Sequence, residues 1–78
     1  MNMKRWNELA GDLERNLKRQ DTTAMAIDVL RGLGAKTDSL YEKLMGLQEE
    51  EAYINSLMAE LVADDQEKVS VLQNGEAA

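Results

Sequence analysis

Apolar residues recur along this chain at alternating intervals of three and four, and they do so in two blocks. Met3, Trp6, Ala10, Leu13, Leu17, Gln20, Ala24 and Ile27 form the first ladder; Leu40, Leu44, Leu47, Glu51, Ile54, Met58 and Leu61 form the second. Such a ladder is the stripe of an α-helix that lies along another helix. Each has one conspicuous polar rung, Gln20 in the first and Glu51 in the second. An antiparallel hairpin that brings these rungs together pairs Ile27 with Leu44, Ala24 with Leu47, Leu17 with Ile54, Leu13 with Met58 and Ala10 with Leu61. A carboxylate in that seam needs partners, because an unpaired buried charge is costly. Gln20 is the expected amide donor and Arg19 the expected counter-ion, together forming a polar layer that sets the register.

The ends of the two helices are marked by local chemistry. The first is predicted to start near Asn2 and to run to about Arg31. Asp21, Thr22 and Thr23 compete for backbone hydrogen bonds and offer a kink near 21–23, but the unbroken ladder through Ala24 and Ile27 favours one continuous helix. Gly32, Leu33 and Gly34 then end it, since glycine accepts the left-handed conformation found after helix C-termini. Ser39 with Glu42 makes a capping box, with Thr37 and Asp38 as competing caps, so the second helix opens at about 38 to 40. It is predicted to reach about 73, with Gly46 as its one weak interior position. The organisation is therefore a hairpin over residues 1–73 and a disordered tail over 74–78.

Both helices carry a further set of apolar residues: Leu9, Met25, Val29, Leu30 and Leu33 in the first, and Tyr41, Met45, Ala52, Tyr53, Leu57 and Val62 in the second. A hairpin touching only itself leaves much of that area wet. Pairing two hairpins into a four-helix bundle covers it, which predicts a homodimer. The rival is that the extra stripe meets a different, larger protein.

Composition sharpens this all-α expectation. With 78 residues and no cysteine, histidine or proline, the chain has neither disulfides nor the usual zinc ligands, and oligomerisation is the remaining device for a small scaffold. No apolar run has bilayer length, and there is no continuous secretory h-region, so membrane contact is not expected and a cytoplasmic location is. The net charge is −6, which disfavours a dominant nucleic-acid role. Residues 1–36 hold seven Lys or Arg against five Asp or Glu, whereas residues 37–78 hold two against ten. Arg15, Lys18 and Arg19 are expected to face Glu49, Glu50 and Glu51 across the hairpin.

Catalysis requires a nucleophile with its base, paired acids in a cleft, a metal set or a cofactor loop. None is legible: the serines lack activating neighbours, and the acidic clusters lack the loop spacing of a calcium site. The sequence therefore predicts a non-enzymatic protein with no cofactor and no metal, binding another protein as an adaptor, chaperone or inhibitor, including inhibition of a nucleic-acid-binding machine. Its predicted partner-binding residues are Glu49, Glu50, Tyr53, Asp64, Asp65, Glu67, Val69 and Leu72, acidic positions with apolar anchors among them. The alternative is a dimeric RNA- or DNA-binding bundle using Lys4, Arg5, Arg15, Lys18 and Arg19.

Overall fold

The computed structural model describes the backbone of residues 2–77 and the side chains of residues 2–64. It is an all-α antiparallel hairpin of α1, Met3–Gly32, and α2, Asp38–Ala77. The backbone of α2 is helical to Ala77, past the predicted end at about 73; the side chains of residues 65–78, the expected anchors Val69 and Leu72 among them, lie outside the described residues.

Helix α1 begins where Asn2 caps it: its side chain accepts from the Arg5 backbone N–H at 3.0 Å. The helix then runs without a break through 21–23. The two threonines that offered a kink turn their hydroxyls back into the helix, Thr22 Oγ1 donating to the Lys18 carbonyl at 3.0 Å and Thr23 Oγ1 to that of Arg19 at 2.7 Å. Each hydroxyl shares a carbonyl one turn back, whose second lone pair leaves room for it, so both threonines are satisfied without interrupting the helix.

At the other end, Gly34 takes a φ of 75°. The Gly34 N–H donates to the Arg31 carbonyl at 3.0 Å and the Ala35 N–H reaches back to Leu30 at 2.9 Å. These two bonds are a Schellman motif, which uses carbonyls that the helix end would leave unpaired. The chain re-enters helix at Asp38, with the Tyr41 N–H on the Thr37 carbonyl at 3.0 Å. Thr37, which is buried, precedes the helix, and Ser39 lies within it. The predicted Ser39–Glu42 capping box is therefore not the start. Asp38 occupies the first turn, where a carboxylate meets the positive end of the helix dipole.

In α2 the predicted stripe is the packed one: Leu47 and Ile54 are buried, and Leu40, Leu44, Glu51, Met58 and Leu61 are half-buried. In α1 the stripe differs. Leu9, Asn16, Thr23 and Ile27 are buried, with Trp6, Leu13, Gln20 and Leu30 half-buried beside them. Met3, Leu17 and Ala24, expected in the seam, are exposed, Leu17 by 43%. Leu17 and Ala24 therefore do not fill the seam positions opposite Ile54 and Leu47 that the ladder assigned to them.

The two α1 ladders share Trp6, Leu13, Gln20 and Ile27 and differ in which neighbour completes the step. At roughly 100° per residue, exchanging 10, 17 and 24 for 9, 16 and 23 turns the stripe by roughly half that angle. Two polar side chains are buried by the turn, and each is satisfied. Asn16 Nδ2 donates to the Leu47 carbonyl at 2.8 Å across the seam, and Thr23 bonds within α1. Among the described residues no buried side-chain polar atom lacks a partner, so the arrangement escapes the penalty of burying polar groups.

Candidate functional site

The polar layer forms as the ladders predict and is extended by one residue. Gln20 Nε2 donates to Glu51 Oε1 at 2.8 Å and to Asn16 Oδ1 at 2.6 Å, and Asn16 in turn holds the Leu47 carbonyl. Glu51 thus finds its amide donor. Arg19 is exposed and makes no ion pair with it among the described residues.

Among the described residues the cations of α1 make no ion pair across the hairpin either. Arg5 pairs with Glu8 at 3.6 Å, Lys18 with Glu14 at 3.3 Å, and Arg15 with Asp12, each one turn away on the same helix. Pairs three or four apart are neighbours on one helix surface, and exposed as these are, each is worth about 0–1 kcal/mol. The expected facing of Arg15, Lys18 and Arg19 with Glu49, Glu50 and Glu51 is therefore corrected at the level of ion pairs.

Proximity without pairing remains. On one side of the hairpin a cleft of about 330 Å³ opens between the helices. Its floor is Leu9, Asn16, Ile54 and Leu57; its rim is Arg5, Asp12, Arg15 and Arg19 from α1 and Glu50 and Tyr53 from α2. Next to it, a shallower depression of about 190 Å³ is lined by Lys18, Arg19, Thr22, Thr23 and Lys43. Arg19 is common to both.

Residues assigned to two different expectations thus meet. Glu50 and Tyr53, predicted to bind protein, and Arg5, Arg15 and Arg19, predicted to bind nucleic acid, line one cleft. Tyr53 is 63% exposed, an aromatic ring held among guanidinium and carboxylate groups with its surface largely free. Glu49, Asp64 and Lys4 are exposed but do not line either opening. Asp65, Glu67, Val69 and Leu72 lie outside the described side chains.

Asp12, Asn16 and Lys43 were missed by sequence reasoning. A signal for Asn16 existed, since Leu9, Asn16 and Thr23 are also spaced by seven. It was outweighed because that row is less apolar than Ala10, Leu17 and Ala24.

Among the described residues no group of three or more acidic side chains is set to hold a metal ion, and no helix is long and apolar enough to cross a membrane. Compared with known protein families, with curated proteins and with solved structures, the chain matches none.

Proposed function

We propose that this chain is a non-enzymatic, cytoplasmic protein-binding module, an adaptor, chaperone or inhibitor that recognises a larger protein through the cleft beside Tyr53. One observation carries this reading: a largely exposed tyrosine lines a cleft whose floor is Leu9, Ile54 and Leu57 with the buried Asn16, and both charge signs stand on its rim. Tyrosine on such a floor is a typical anchor of protein interfaces, while mixed rim charges supply orientation and steering. A phosphate backbone is served less well there, because Asp12 and Glu50 share the rim and Arg5 and Arg15 each have a carboxylate partner.

The depression lined by Lys18, Arg19 and Lys43 favours a second reading, RNA or DNA binding along the same side of the hairpin. One experiment separates the two. The tagged protein is used for affinity capture from its source cell, with and without nuclease, alongside Tyr53→Ala and the triple variant Arg15→Gln, Lys18→Gln, Arg19→Gln. A protein partner that survives nuclease and is lost with Tyr53→Ala supports the protein-binding reading. Recovery of nucleic acid that only the triple variant abolishes replaces it with the second.

A further inference from the structure

The side of the hairpin opposite the cleft carries rows that the seam does not use. On α1, Met3, Ala10, Leu17 and Ala24 are seven apart, and all but the half-buried Ala10 are exposed. On α2, Tyr41, Gln48, Asn55 and Val62 form one row at the same spacing and Met45, Ala52 and Ala59 another. At 3.6 residues per turn these rows lie on one face, flanking the seam on its far side. The Arg31–Tyr41 hydrogen bond, 3.1 Å, spans the helices there.

No charge interrupts the α1 row between Met3 and Ala24 or the α2 rows between Tyr41 and Val62; Arg31, the next position of the α1 row, is the one that holds Tyr41. Charge resumes at their outer borders, and there it is acidic on both helices. Glu14, Asp21 and Asp28 flank the α1 row, again seven apart, while Glu42 and Glu49 flank the α2 rows; all are exposed, and Glu14 already holds Lys18 at 3.3 Å, so Asp21, Asp28, Glu42 and Glu49 carry the acidic border. The α1 row alone extends over about 30 Å at about 1.5 Å per residue, the length of a six-turn helix laid alongside.

We infer that this face docks an amphipathic helix of another protein whose apolar stripe is bordered by Lys or Arg. Heptad spacing on both helices suits a helix supercoiled with them. Alanines at 10, 24, 52 and 59 let its backbone approach closely. The acidic borders then meet the basic rows of the occupant. A second copy of this chain brings acidic borders against acidic borders, so charge complementarity selects the basic partner over self-association. The inference does not depend on the Tyr53 cleft, and the two surfaces together would let one hairpin join two proteins.

Three synthetic helical peptides of 21 residues test it: one with a Leu/Ala heptad stripe flanked by Lys, one with the same stripe flanked by Glu, and one with Lys flanks and a Ser stripe. The full chain should bind the first alone, and added salt should weaken the complex. Ala24→Lys and Ala52→Lys, both at exposed helical positions, should each reduce affinity about tenfold or more. Tyr53→Ala should leave it unchanged. The triple variant Glu14→Lys, Asp21→Lys, Asp28→Lys should lose the Lys peptide and gain the Glu peptide. Circular dichroism on each variant checks that the helices persist, and sedimentation equilibrium is run on the wild type. Equal binding of the Lys and Glu peptides, or equal binding of the Leu/Ala and Ser stripes, would overturn the inference. So would a stable dimer that Ala52→Lys dissociates, since a second copy would then own the face.

Discussion

Asn16 is the side chain on which the seam turns. It is only 1% exposed, and its amide both donates across the seam and accepts from Gln20. Removing a hydrogen-bonded group in such a place leaves its partners unsatisfied, at a cost of about 1–3 kcal/mol. Asn16→Ala should therefore lower the urea midpoint by a corresponding amount, and Gln20→Ala made on top of it should add less than it does alone, because the two share one network. Ile27, 4% exposed, is governed by packing instead. Ile27→Ala should cost about 2–5 kcal/mol through lost burial and the cavity left behind. Denaturant titrations in which Asn16→Ala proves neutral would show that the polar layer is solvated rather than built in.

At the scale of the element, the glycines divide by conformation. Gly34 has the left-handed φ that closes the Schellman motif, and an alanine there should cost about 1–2 kcal/mol. Gly46 sits in the interior of α2 with nothing within 4 Å of where a Cβ would stand. Gly46→Ala should stabilise the protein by about 1 kcal/mol, since helical glycine gives up more backbone freedom on folding than alanine does. Thermal melts of the two variants should move in opposite directions. If both fell, some contact at Gly46 beyond the hairpin would have to be invoked.

For the whole molecule, the distribution of charge and of unburied apolar surface matters more than any one contact. The core holds Leu9, Ile27, Leu47 and Ile54 as its buried apolar side chains among the described residues, while Met3, Met25, Val29, Leu33, Met45 and Tyr53 stand well exposed. The proposed protein-binding role assigns the exposed Tyr53 to an interface. Once a protein partner is in hand, Tyr53→Ala should raise its dissociation rate by an amount equivalent to about 1–3 kcal/mol. Glu49→Lys with Asp64→Lys should act chiefly on the association rate and on its salt dependence, because exposed charges steer encounter more than they hold a complex. Surface plasmon resonance at two ionic strengths reads both, and an unchanged dissociation rate for Tyr53→Ala would remove the ring from the interface.

By itself the sequence determined that the chain is two helices, that the turn falls between Gly32 and Asp38, that α2 packs through Leu47, Ile54 and their neighbours, and that Gln20 meets Glu51. Those outcomes rest on local or periodic properties: glycine at the turn, capping residues, and an α2 ladder of Leu40, Leu44, Leu47, Ile54, Met58 and Leu61 that is far more apolar than any other at that spacing. The rotation of α1 was decided by tertiary structure. Two ladders fit the spacing there, and counting apolar residues favours Ala10, Leu17 and Ala24. Counting cannot weigh the Leu47 carbonyl, which Asn16 reaches only once the helices are together, nor the hydroxyl of Thr23, which is satisfied within its own helix. The same rotation placed the Arg15 and Arg19 row beside Tyr53 and turned the Leu17 row outward, because a helix has one angular setting and moving one face moves all of them.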